Sequence, residues 1–166
     1  MPNWCDNSFM VEHKDPEMLR KFADGVNNGN LFETLVPLST KEWDYSVALD
    51  EWGTKWDVNE GYADIGPDDL SASGSFSTAW GPGIEAYNRL TDLGFSLDIL
   101  YFEPGMCFAG RYTSEDGDYC VEYNFDDENW RDSVSDSEVL DRLEDEYEMW
   151  KQWRDEDEAE FGKESE

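Results

Sequence analysis

Apolar positions in this chain repeat with two periods, and the switches between the periods mark the elements. The clearest stretch runs from Trp80 to Tyr112. Ile84, Tyr87, Leu90 and Leu93 recur there at helical spacing, and Gly94 supplies a stop. Pro82 suits a first helical turn, where its missing N–H would have no partner anyway. Phe95, Leu97, Ile99 and Tyr101 then repeat every second residue, which predicts a strand fed directly from the helix. Leu100 and Phe102 make its other face apolar too, so a central strand covered on both sides is expected. Glu103-Pro104-Gly105 interrupts the ladder, and residues 106–112 read as a second strand returning.

The other elements follow in chain order. Residues 3–12 predict a strand with Trp4, Phe9 and Val11 as its apolar positions. Asp15-Pro16-Glu17 is a helix start, with an N-cap acid, proline in first position and a second acid near the positive end of the dipole. Met18, Leu19, Phe22 and Val26 form its buried stripe, and Asn27-Asn28-Gly29-Asn30 ends it. Residues 31–38 are short and apolar, a weakly patterned region opens around Pro37, and residues 41–50 suit a short helix. In Trp52-Gly53-Thr54-Lys55-Trp56-Asp57 a helical glycine would cost about 1 kcal/mol relative to alanine, so a turn entering a strand is expected. Strands over 57–65 and 70–80 flank the turn Gly66-Pro67-Asp68-Asp69, and the small residues of the second predict a close neighbour. A hairpin turn at Glu115-Asp116-Gly117-Asp118 leads to a last strand with Tyr119, Val121 and Tyr123.

That order is strand, helix, strand, strand, helix, strand, with one or two added antiparallel strands. It predicts the α+β class and, within it, a ferredoxin-like split β-α-β sandwich: an antiparallel sheet with two helices on one face. This domain takes up residues 1–125. Residues 126–166 form an acidic helical extension, in which Ser135-Asp136-Ser137-Glu138 fits a capping box and Leu140, Leu143, Tyr147 and Trp150 follow at helical spacing.

Composition sharpens this picture. Aromatic residues make up 15% of the 166, including eight Trp, enough for a real core and too many for a disordered body. The net charge is −29, which repels nucleic acid and anionic membrane and attracts basic surfaces. Residues 111–166 hold 22 acids and 6 bases, so charge per residue more than doubles there relative to residues 1–110, with 19 acids and 6 bases. Positions 136–160 carry twelve acids and three bases. As a helix they would span about 37 Å, or one net charge per ~4 Å, close to the 3.4 Å spacing of one DNA strand. Two readings stay open: mimicry of a phosphate backbone, or an acidic face kept only for solubility.

Candidate chemistry is sparse. Cys5, Cys107 and Cys120 are odd in number and lack paired spacing, which suits a reducing compartment. Residues 1–11 lack the apolar run of a leader, and no segment approaches the roughly 20 apolar residues that span a bilayer. A soluble protein of the cytoplasm is therefore expected. His13 is the one histidine, no Gly-x-Ser-x-Gly elbow accompanies it, and Gly81-Pro82-Gly83 lacks the lysine of a phosphate loop. Asp57, Asp64, Asp68 and Asp69 are the least unsuitable metal ligands, but no spacing selects them. Trp52 and Trp56 suit either stacking on a base or core packing. Twelve basic residues form no patch, so direct nucleic-acid binding is not expected. The residues predict no enzyme, no cofactor and no metal.

The opening Met1-Pro2-Asn3-Trp4-Cys5-Asp6-Asn7, Leu35-Val36-Pro37, Trp52 to Asp57, Phe76 to Trp80 with Pro82, and Tyr101, Glu103-Pro104-Gly105, Phe108 and Gly110 form a specific combination. It resembles the YubB-like ferredoxin-like proteins of bacterial plasmids and phages over about residues 1–125. The resemblance implies a ferredoxin-like fold and a home on mobile genetic elements. It carries over no activity and no catalytic residue, and the acidic tail after Asn124 is an addition to the pattern.

With that context the expected function is non-enzymatic inhibition of a host defence protein that binds DNA or RNA, of restriction, CRISPR-type or related kind. Asp141, Glu144, Asp145, Glu148, Asp155 and Glu158 are the expected partner-binding residues, presented to a basic surface. Two rivals stand beside it. One is a housekeeping or assembly protein of the element, acidic only for solubility. The other is an enzyme or small-ligand binder, with a pocket between the sheet and the Trp52–Trp56 segment.

Overall fold

A computed structural model describes residues 2–164 of the 166. The chain divides into two units, Met1–Glu122 and Tyr123–Glu166. The first is an α+β unit built on a six-stranded, fully antiparallel sheet in the order β2-β3-β1-β4-β5-β6. Its elements are β1 (Trp4–Glu12), α1 (Pro16–Asn28), α2 (Leu31–Leu35), α3 (Tyr45–Glu51), β2 (Asn59–Ile65), β3 (Ser71–Ala79), α4 (Ile84–Asp92), β4 (Ser96–Glu103), β5 (Phe108–Thr113) and β6 (Gly117–Glu122).

Strand alternation sets the core face. In β1 the buried residues are Cys5, Asn7, Phe9 and Val11, so Trp4 belongs to the opposite face and is partly exposed, a correction to the expected stripe. Phe9 pairs with Gly74 of β3 and Ile99 of β4, and Val11 with Ala72 and Leu97, which extends one apolar surface across three strands. Leu19, Phe22 and Val26 of α1 and Ala86, Tyr87 and Leu90 of α4 join the same buried cluster. Phe22 meets Phe9 at 5.4 Å and Phe95 at 5.3 Å between ring centres, within the range of favourable aromatic pairs. The two-helix layer needs correction, because the short helices α2 and α3 add Leu31, Phe32 and Ala48 to this cluster. Residues 31–35 were too short for periodicity to identify as helix.

Local signals explain the boundaries. Asp15 accepts the Glu17 N–H at 3.0 Å and Pro16 opens α1. Pro82 lies just ahead of α4, whose N-cap position is Gly83, so proline precedes the helix rather than starting it. The N-terminus of α4 instead gains a partner from the Trp52-Gly53 turn: Ala86 N–H donates to the Trp52 carbonyl at 3.1 Å. Gly53 has φ +79°, and a Cβ there would lie 3.1 Å from the Glu85 nitrogen, so any other residue would be both strained and crowded.

The second unit contains a 3-10 turn, Trp130–Ser133, and α5 (Ser137–Glu164). Asp136 caps α5, accepting from the N–H groups of Glu138 at 2.9 Å and Val139 at 3.1 Å. That places the cap one residue later than the Ser135 of the expected box. Tyr147 and Trp150 of α5 pack on Phe125 at 5.4 and 5.6 Å, and Tyr147 on Trp130 at 5.5 Å.

Candidate functional site

The acids singled out in the sequence all lie on α5. At 100° per residue Asp141, Asp145 and Glu148 share one face, and all three are exposed. Asp155 and Glu158 are exposed too, two turns further on. Glu144 is different. Arg131 grips its carboxylate with two donors, Nε to Oε1 and a second nitrogen to Oε2 at 2.9 Å. That pairing lowers the Glu144 pKa and raises that of Arg131. The Arg131 guanidinium also lies over the rings of Trp130, 4.5 Å from its centre, and Tyr147, at 4.9 Å. Glu144 therefore fastens the helix rather than presenting free charge. Asp155 meets Arg154 at 3.8 Å. Among the described residues Asp141, Asp145, Glu148 and Glu158 have no ion-pair partner, so they carry the outward charge.

The other candidates resolve into structural roles. His13 accepts the Asp15 N–H at Nδ1 (2.9 Å) and faces the Leu93 carbonyl at Nε2 (3.0 Å), which requires the neutral ring with its proton on Nε2. It joins the start of α1 to the end of α4. Asp57 accepts from the N–H groups of Phe32, Glu33 and Val58, so it caps α2 from outside the helix. Burial raises its pKa, and those three donors oppose the rise. Asp68 holds its own turn through Leu70 and Ser71. No three His, Cys, Asp or Glu side chains among the described residues are grouped to hold a metal ion. No helix among them is long and apolar enough to cross a membrane.

The Trp52 ring packs on Phe32 at 5.6 Å and its Nε1–H donates to the Val36 carbonyl at 2.8 Å. Arg89 donates to the same carbonyl at 3.0 Å and to that of Pro37 at 3.1 Å. The Trp52 ring is thus committed to the core. A pocket of about 360 Å³ lies beside it, lined by Trp52 itself, Trp43, Trp56 and Asp57, whose carboxylate already accepts three N–H groups.

A larger cleft, about 490 Å³, lies between Gly53-Thr54 of the Trp52–Trp56 segment and the strand residues Ala79, Tyr101, Phe108, Asp118 and Cys120, the place named for a small-ligand pocket. Tyr45 and Leu49 of α3, Trp80, Pro82, Ile84 and Phe108 give it apolar walls, and Tyr101, Asp118 and Cys120 a polar side. Tyr101 donates its phenol proton to Asp118 Oδ1 at 2.7 Å. Its hydroxyl crosses β5 over Gly110, where any Cβ would collide with it. Burial is the main cause of the raised pKa of Tyr101, Asp118 and Cys120, so this thiol is not an activated nucleophile. Trp80 has φ +70°, held by its N–H bond to the Asn3 carbonyl at 2.7 Å and by Thr78 Oγ1 donating to the Gly81 carbonyl at 2.6 Å. No periodicity signals a left-handed tryptophan, and Tyr45 lay in the weakly patterned region.

No family model, no curated protein and no solved structure matches this chain.

Proposed function

We propose that the chain is a non-enzymatic, phage- or plasmid-encoded inhibitor that occupies the basic cleft of a host nucleic-acid-binding defence protein. The observation that carries this reading is the exposed acidic face of α5, 28 residues long and fastened by its own aromatic seam. Asp141, Asp145 and Glu148 are spaced four and three residues apart, about 6 and 4.5 Å along the axis. A rigid row of unpaired carboxylates at that spacing meets Lys and Arg side chains that otherwise hold phosphates. The YubB-like resemblance supports a mobile-element origin. A ferredoxin-like assignment is supported by the sheet order, since β2-β3-β1-β4 with α1 and α4 between is the split β-α-β arrangement, and β5 and β6 extend it.

The test is capture of partners from host lysate by tagged chain at low and high salt, identified by mass spectrometry. The expected result is one DNA- or RNA-binding protein, displaced by added nucleic acid and by salt. A variant with Asp141→Asn, Asp145→Asn, Glu148→Gln and Glu158→Gln should lose at least about tenfold in affinity while keeping its helix content. Unchanged affinity in that variant would sink the mimicry. Recovery of only proteins from the same element would favour an assembly role.

A further inference from the structure

Three large apolar residues surround the 490 Å³ cleft and stay open to solvent: Tyr45 is 52% exposed, Trp80 51% and Leu49 40%. Single exposed apolar residues are ordinary, but several around one concavity mark a binding surface. Trp80 adds a second, independent sign. A bulky side chain at φ +70° is a true backbone outlier, held here by the Asn3 and Gly81 hydrogen bonds, and such outliers cluster at functional sites. At this position it sets an indole at the cleft, where glycine would be the relaxed choice.

The polar side then selects the occupant. Asp118 spends one oxygen on the Tyr101 hydroxyl, and its second oxygen has no hydrogen-bond partner among the described residues. An acceptor-only group beside aromatic faces suits a cation with an apolar stem. Tyr45 of the cleft already meets a cation, because the Lys55 ammonium lies 5.9 Å from its ring centre. Anionic ligands are disfavoured by a chain of net charge −29. Between the two cationic side chains, arginine fits better: its guanidinium is planar, weakly hydrated, stacks on aromatic rings and forks onto a carboxylate.

We propose that this cleft receives an arginine side chain of a protein partner, its stem against Leu49 and Ile84 and its guanidinium between Trp80 and the Asp118 carboxylate. The proposal rests on the reading that the partner surface is basic, and it adds to the acidic helix a second contact that recognises shape. It makes binding depend on one particular arginine rather than on charge density alone.

The test uses the full chain and a small probe, Nα-acetyl-arginine amide, followed by amide and indole N–H resonances in about 0.15 M salt, where diffuse attraction is screened. Saturable shifts confined to Trp80, Tyr45 and the residues around Asp118 are expected. Asp118→Asn keeps an acceptor for Tyr101 and should weaken the probe about tenfold, the loss of one charge-assisted contact. Trp80→Gly should abolish the response while its melting temperature stays at or above that of the parent, which a merely structural tryptophan would not do. Scattered, non-saturating shifts, equal binding by Nα-acetyl-lysine amide, or an unchanged response in Asp118→Asn would each overturn the proposal. The two readings fail separately. A lost probe response leaves partner capture by α5 standing, and capture that survives neutralisation of α5 leaves the cleft standing.

Discussion

Asn7 shows how much one polar residue can organise in an apolar face. It is fully buried, donates to the Cys5 carbonyl at 3.1 Å and to Thr78 Oγ1 at 2.9 Å, and accepts from the Tyr87 hydroxyl at 2.7 Å. Thr78 passes its own proton to Gly81, so the network links β1, β3, α4 and the turn that carries Trp80. Asn7→Ala would strand the Tyr87 hydroxyl and open a small cavity. We expect it to cost about 2–3 kcal/mol, read as a lower midpoint in urea with an unchanged slope. The parity of Phe9 and Val11 takes in Cys5 and Asn7 as well, but a stripe of Trp4, Phe9 and Val11 left Asn7 out of the buried face. The Asn7 partners Thr78 and Tyr87 were not legible in the sequence, because they lie 71 and 80 residues away along the chain. Trp80 has the opposite sign. Replacing it with glycine relieves a left-handed conformation worth roughly 1 kcal/mol, partly offset by the added freedom of the unfolded chain.

Elements with a strong period were read within a few residues, and those without one were missed. The helix α1, with cap, proline and apolar stripe in register, is the clearest case of the first kind; α2, at five residues, is the clearest of the second. The acidic helix falls between. Its apolar positions were visible, but the Arg131–Glu144 fastening was not, because nothing in a run of acids tells which one meets a base. That pairing has a pH signature. Glu144 has a lowered pKa in the folded chain, so its contribution is present above the ordinary glutamate value of about 4.3 and is lost as pH falls through the lowered one. Both partners are substantially exposed, which keeps the effect small. Glu144→Gln should lower the melting temperature by about 2 °C near neutrality. The gap between variant and parent should narrow as pH falls below the ordinary glutamate value and close only below the lowered one, where both lack the charge. A gap that does not change with pH across the acid range would assign Glu144 a packing role instead.

At the scale of the whole chain, charge acts on stability and on binding with opposite signs. Of 41 acids at most 12 can pair one-to-one with the 12 bases, so at least 29 carboxylates repel one another across the unit surfaces. Screening reaches about 30 Å in 0.01 M salt and about 10 Å in 0.1 M. Raising sodium chloride from about 20 to 200 mM should therefore raise the melting temperature, by about 5 °C for a chain of this size. The same change should weaken capture of a basic partner, because fewer partner cations feel the α5 face. Neutralising Asp141, Asp145, Glu148 and Glu158 should remove part of both effects together: a firmer fold at low salt and a poorer ligand for the basic surface. A chain acidic only for solubility would gain the stability and lose nothing it binds. The joint measurement of melting and capture across the salt series decides between these readings, because both surfaces gain stability when charge is removed or screened and only one kept for a partner loses capture with it.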